Sequence, residues 1–140
     1  MPGTSLSALS VFYRLRHAEA DAARRDLGEA LAQEAVLRAQ DETLRRELDD
    51  ARQCAGNFDR ESFAAFLGRV RAKRAQLANA ICEAAARTAS ARTALAHRRA
   101  AETVAQAAQA DALAAQNAAV AQREQMALED IARALKCAAE

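Results

Sequence analysis

Proline occurs once in this chain, at Pro2, and tryptophan not at all. Proline is the strongest breaker of a helix, so nothing downstream of Pro2 interrupts helical periodicity by that route. Aromatic residues make up 4% of the sequence, too few to fill the core of a layered domain, and a sheet is excluded on the same ground. The four glycines, Gly3, Gly28, Gly56 and Gly68, are scattered, so there is no glycine-rich phosphate loop and no nucleophile elbow. No metal-ligand spacing accompanies them. Catalysis, cofactors and a small-molecule substrate are therefore not expected.

Cys54, Cys82 and Cys137 are odd in number and far apart, which rules out a disulfide framework and a metal-spaced CxxC pair. They read as unpaired thiols in a reducing compartment. No charge-free apolar run is long enough to cross a bilayer, so no direct membrane insertion is expected. The opening Met1-Pro2-Gly3-Thr4-Ser5 lacks the basic start of a signal peptide, and a cytoplasmic location is the expectation.

What the chain does contain is alanine, leucine, arginine, glutamate and glutamine, the residues of long helices. Its net charge of +1 hides an asymmetry. Residues 1–55 carry 8 basic and 10 acidic groups (net −2), residues 56–100 carry 9 and 3 (net +6), and residues 101–140 carry 3 and 6 (net −3).

From Leu6 a spacing of three and four residues runs through Leu9, Tyr13, Arg16, Ala20, Ala23, Leu27, Ala30, Glu34, Leu37, Asp41, Leu44, Leu48 and Ala51. Apolar groups at an average interval of about 3.5 residues stay on one stripe only where two helices wrap around each other. Ser5 or Ser7 can cap the start. At Cys54-Ala55-Gly56-Asn57-Phe58-Asp59 the pattern stops. Gly56 suits a left-handed C-cap, and Asp59 can cap a new helix while its charge favours the helix dipole. A second seam follows through Phe63, Leu67, Val70, Arg74, Leu77, Ile81, Ala84, Thr88, Ala91, Leu95, Arg98, Glu102 and Ala105. A short connection between two long helices makes them antiparallel. The predicted fold is all-α: a long antiparallel two-helix coiled-coil hairpin, with a first helix over about 6–54, a turn at 55–58, and a longer second helix over about 59–137.

Folding the chain about residues 56–58 sets residue n near residue 113 − n, roughly. Asp41 and Glu34 then fall near Arg74, and charges inside a seam specify register at some cost in stability. At about 1.5 Å per residue the second helix is roughly 120 Å long and the first roughly 70 Å. About thirty residues of the second therefore lack a partner in the first. Past Ala105 the seam is expected to slip to Leu113, Val120, Glu124, Leu128, Ile131 and Leu135, relaxing the left-handed supercoil. This apolar stripe either docks on a partner, folds back or dimerises.

Three further features invite a functional reading. His17 and His97 fall at similar heights, as a pH or metal pair or as two flanking polar side chains, and the second reading is preferred because a metal needs more ligands. Arg69, Arg71, Lys73 and Arg74, with Phe63 and Phe66, are a basic run with aromatics. Phosphate binding is the sharp reading, but Glu42, Glu47, Asp49 and Asp50 can pair with these cations across the hairpin, so no nucleic acid is expected. Phe66 lies off the seam beside Leu67 and Val70, where an exposed aromatic next to basic groups suits a partner.

The opening Phe12-Tyr13-Arg14-Leu15-Arg16, the turn Gly56-Asn57-Phe58 leading to Phe63-Ala64-Ala65-Phe66-Leu67, Arg99-Ala100-Ala101-Glu102, and Gln125-Met126-Ala127-Leu128-Glu129-Asp130-Ile131-Ala132 together resemble the flagellar export protein FliJ and the YscO-like stalk proteins of type III secretion. The resemblance extends over essentially the whole chain in length and element order. It implies a stalk like that of rotary ATPases, which enters a hexameric export ATPase ring and also meets the membrane export gate and export chaperones. On this resemblance Arg99, Glu102, Leu113, Val120, Leu128, Glu129, Ile131 and Leu135 are the expected ATPase-facing residues. Phe66, Arg69 and Lys73 are those expected at the export gate, and the location is cytoplasmic, peripheral to the inner membrane.

Overall fold

A computed structural model of the chain describes the backbone of Pro2–Ala139 and the side chains from Leu6 to Ala139. It is a two-helix hairpin. Helix α1 spans Pro2–Gln53, a single 3-10 turn spans Ala55–Asn57, and helix α2 spans Arg60–Ala139. With 52 residues in α1 and 80 in α2, the helices are as unequal as the heptad count predicts. Backbone packing divides the chain into two units, one formed by Met1–Ala20 with Arg98–Glu140 and the other by Asp21–His97.

Helix α1 starts earlier than expected. Pro2 is its first residue, a position where the missing N–H costs nothing and the fixed φ suits the helix. Ser7 therefore lies inside the helix rather than capping it, and the Ser5 side chain lies outside the described residues. The connection also differs from expectation at Gly56: no described residue, glycine included, has a positive φ. The chain instead tightens into a 3-10 turn, in which Asn57 N–H donates to Cys54 O at 3.0 Å and Phe58 N–H to Ala55 O at 3.4 Å. These bonds close the connection without a left-handed residue, while the Cys54 N–H donates to Asp50 O at 3.1 Å at the end of α1. Phe58 is extended, and Asp59 then caps α2 as expected, its Oδ2 accepting from the Ser62 N–H at 3.4 Å.

Within the unit Asp21–His97, every heptad position read from the sequence is buried or half-buried. Ala23, Leu48, Val70, Leu77, Ala84, Thr88 and Leu95 are the most enclosed. Arg74 donates from Nε to Asp41 Oδ1 at 3.0 Å and from Nη2 to Asp41 Oδ2 at 3.4 Å. This two-pronged pair ties α1 to α2 at a point where both side chains are partly shielded. The Arg74 guanidinium holds the Asp41 carboxyl below its ordinary range by hydrogen bonding, and Asp41 in turn raises Arg74.

Glu34, in contrast to the expected register, does not reach Arg74. It accepts from Arg38 on its own helix at 2.7 Å, and across the seam it faces Thr88, which with Arg38 lowers its proton affinity. Asp41 meets Arg74 within two residues of the position that folding about residues 56–58 implies, whereas Glu34 lies opposite Thr88, further along α2. Thr88 Oγ1 is buried but too far or too oblique for a hydrogen bond, so its contact with Glu34 is a loose polar one.

The acids expected to face the basic run divide their allegiance. Glu42 pairs with Arg46 at 3.4 Å and Asp49 with Arg52 at 3.6 Å, both along α1, while their fields also favour the charged form of Arg74. Among the described residues Arg69, Arg71 and Lys73 form no ion pair within 4.0 Å.

Replacing Arg74 by Leu is expected to leave helix content unchanged while allowing more than one register. The check is crosslinking, in a background with the three native cysteines changed to Ser, between a cysteine at Leu37 and cysteines stepped along residues 74–84. One favoured partner in the parent should become several in the variant. The acid response is a second expectation. Because the folded Asp41 carboxyl has a depressed proton affinity, its contribution to stability is present above the ordinary aspartate range and is lost as pH falls through and below about 4. Asp41→Asn should be less stable than the parent at pH 7, with the difference shrinking toward pH 3 in urea titrations.

Candidate functional site

Two surfaces carry the residues singled out from the sequence. The first belongs to the unit of Met1–Ala20 with Arg98–Glu140. Here α1 contributes Leu6, Leu9, Tyr13, Arg16 and Ala20 to the seam, and α2 contributes Glu102 and a fully enclosed Ala105. Arg98, expected in the seam, is exposed instead and reaches Glu19 at 3.1 Å. A long guanidinium in a narrow seam stays solvated by swinging to the flank. Arg16 completes this cluster, donating to Glu19 at 2.9 Å while its guanidinium lies 4.9 Å from the centre of the Phe12 ring. The hydrogen bond from Arg16 chiefly, with Arg98 assisting, lowers the Glu19 carboxyl below its ordinary value.

Beyond Ala105 the seam continues through half-buried Gln109 and Ala112 rather than slipping to Leu113. Leu113 is exposed, because Leu6 and Leu9 still hold the earlier register. From Leu113 to Ala139 every residue is exposed. Leu113, Val120, Leu128, Ile131 and Leu135 thus stand in solvent, Leu128 at 68% and Leu135 at 67% of full exposure, with Met126 beside them. Glu129 accepts a hydrogen bond from Gln125 at 3.1 Å along the same helix. Arg99 is exposed, whereas Glu102 is half-buried and is met by His17, whose Nδ1 lies 2.6 Å from Glu102 Oε1. The eight residues expected to face an ATPase are therefore of two kinds. Seven lie open on α2, and Glu102 is already engaged within the hairpin.

The second surface lies at the turn, in the unit Asp21–His97. Phe58, Phe63, Phe66, Ala51, Ser62 and Arg69 line a cavity of about 260 Å³. Phe58 and Phe63 stack with ring centres 6.2 Å apart. The exposed aromatic of this cluster is Phe58 rather than Phe66, which is half-buried. Phe66 is half-buried on the wall of the same cavity that the Phe58–Phe63 stack lines. Arg69 and Lys73 are exposed, so the turn combines an aromatic notch with cations that have no acidic partner.

Sequence reasoning did not single out several exposed apolar residues: Val11, Leu15, Leu31, Val36 and Val104. Their signal was faint, since each stands outside the three–four spacing that defines the seam. Val36 helps to line a groove of about 540 Å³ with Leu44, Lys73 and Leu77. Among the described residues no group of three His, Cys, Asp or Glu side chains could hold a metal ion. No described helix is long and apolar enough to cross a membrane.

This geometry defines a class, the two-helix coiled coil whose second helix outruns the first, with partner-type surfaces on the uncovered helix and at the turn. No protein-family model, no curated protein and no solved structure matches the chain.

If the stripe on α2 serves contact rather than folding, Leu128→Asp combined with Ile131→Asp should change the free energy of unfolding by no more than about 0.5 kcal/mol. Ala105→Leu, which overfills the most enclosed position of its unit, should cost about 1–3 kcal/mol. Urea titrations followed by circular dichroism at 222 nm check both.

Proposed function

We propose that this protein is a non-enzymatic stalk subunit of a flagellar or related type III protein export ATPase complex, which promotes assembly of the hexameric ATPase ring and links it to the export gate. One observation carries the reading. Helix α2 continues unbroken from Leu113 to Ala139 with every residue exposed, displaying Leu113, Val120, Leu128, Ile131 and Leu135 to solvent. An apolar stripe with no cover in its own chain is stable in water only at a cost, and a partner that buries it removes that cost. A stalk inside a ring must also be thin and free of helix breakers, and α2 contains no proline.

The order of motifs along the chain adds to this support. In this reading Arg99, Glu102 and the stripe face the ATPase, and Phe66, Arg69 and Lys73 meet the membrane export gate, with Phe58 as an added apolar contact. Export chaperones are further partners, and the protein works at the cytoplasmic side of the inner membrane as a peripheral component. Nucleic acid and small-molecule substrates have no part in it.

The same uncovered stripe favours a second reading, a coiled-coil scaffold that homodimerises through its C-terminal helix. The two separate on partner and mass. The stalk reading expects the chain to retain its cognate export ATPase in a pull-down and to raise its ATP hydrolysis, with both effects lost in Leu128→Asp/Ile131→Asp. It also expects a monomer in sedimentation. A dimer that persists on dilution, with no ATPase binding or stimulation, would replace it with the scaffold.

A further inference from the structure

His17 stands on the flank of α1, its side chain 48% exposed, while its partner Glu102 sits in the seam position of α2 at 15%. The Nδ1–Oε1 separation of 2.6 Å places the ring nitrogen in hydrogen-bond contact with the carboxylate, and the bond is charge-assisted when the ring is cationic. It joins residues 85 positions apart in sequence, so it holds the start of α1 against α2. The seam of this unit consists of Leu6, Leu9, Tyr13, Arg16 and Ala20 facing Glu102, Ala105, Gln109 and Ala112, with small or polar residues on the α2 side. Polar contacts therefore carry a share of the closure, and His17–Glu102 joins the helices here beside the Arg98–Glu19 ion pair. We propose that His17 and Glu102 form a protonation-dependent clasp, closed when the His17 ring is cationic and loosened as pH rises through neutrality, which eases the start of α1 away from the neighbouring surface of α2 and opens that surface to a partner.

The charged surroundings of the ring are mixed. On α1, Tyr13 stacks against it with ring centres 6.0 Å apart, Arg14 precedes it by three residues, and Asp21 follows by four. Arg16 and Glu19 are engaged with each other and with Arg98. On α2 it faces Glu102, with Arg98 and Arg99 one turn before. Arg16 and Arg98 thus have an acid of their own in Glu19, and the imidazole nitrogen is within hydrogen-bond distance of a carboxylate.

The sign follows from linkage. Only the imidazolium makes this contact an ion pair, so folding favours the protonated ring. The contribution is fully present below the ordinary imidazole range, near pH 6.5, and fades above it. It does not vanish, because a neutral ring protonated at Nδ1 still donates to the carboxylate. What is lost is the charge-assisted part. For a partly exposed ion pair that corresponds to roughly a two- to five-fold change in the opening equilibrium.

The clasp is tested on the full chain by hydrogen exchange, read as protection factors so that the intrinsic effect of pH is removed. Amides of Leu9–Ala20 should lose protection roughly two- to five-fold between pH 5.5 and 8, while those of residues 70–90 stay level as an internal reference. His17→Gln and Glu102→Gln should each abolish the difference, and the double variant should behave as either single one. Imidazole carbon shifts, with His97→Gln to assign the two histidines, should show a His17 titration that moves when Glu102 becomes Gln. Protection that is level across this range in the parent, or a pH response that survives in Glu102→Gln, would overturn the clasp. The role of the opened surface rests on the ATPase-facing reading above. An ATPase that binds at no pH would remove that reading, whereas hydrogen exchange on the chain alone decides the clasp.

Discussion

A helix packed against one other helix can bury only a stripe of its surface, and the rest of this protein follows from that restriction. No described side chain larger than threonine is enclosed to the last few per cent: Ala20, Ala84, Thr88 and Ala105 are the deepest, and leucines such as Leu48, Leu77 and Leu95 keep an edge in water. A seam this shallow gives a modest hydrophobic return per residue. Helix-forming composition, a sharp turn and a few directed polar contacts therefore have to supply what a larger core otherwise would.

The polar contacts are spaced along the seam rather than clustered. Arg74 with Asp41, Glu34 beside Thr88, Arg98 with Glu19 and His17 with Glu102 each join the two helices at a different level within their units. A leucine fits several holes of a facing helix almost equally well, so an apolar seam tolerates sliding by a heptad. A guanidinium with two prongs on one carboxylate does not. Register and stability thus come from different residues, and the charges that interrupt the heptads are the ones that fix the alignment.

The restriction has a functional side as well. Where α1 runs out, no described residue covers α2, and its exposed stripe persists for the whole stretch from Leu113 to Ala139. At the turn, aromatic rings gather around a notch beside cations that lack acidic partners. Both features are apolar or aromatic surfaces open to contact. Glu102 stands apart from the others: it belongs to the region of expected contact, yet within the folded chain it is held by a histidine.

Much of this was readable from the amino acids alone. The two seams, the unequal helices, the Asp59 cap and the Asp41–Arg74 pair are consequences of local periodicity and of a single breaker-rich segment, and local patterns survive into the fold when there is only one partner helix to pack against. The tertiary structure decided what depends on distances of a few ångströms. The turn was a 3-10 one in place of a left-handed Gly56, Glu34 met Thr88 rather than Arg74, and Phe58 stacked on Phe63 with Phe66 half-buried beside the notch. Arg98 left the seam because its side chain is long enough to choose the flank, Leu113 stayed in water because Gln109 and Ala112 kept the earlier register, and His17 found Glu102. Heptad spacing assigns a residue to a stripe; which neighbour it meets across that stripe is set by the turn, and the turn's geometry is a matter of backbone hydrogen bonds that composition alone does not specify.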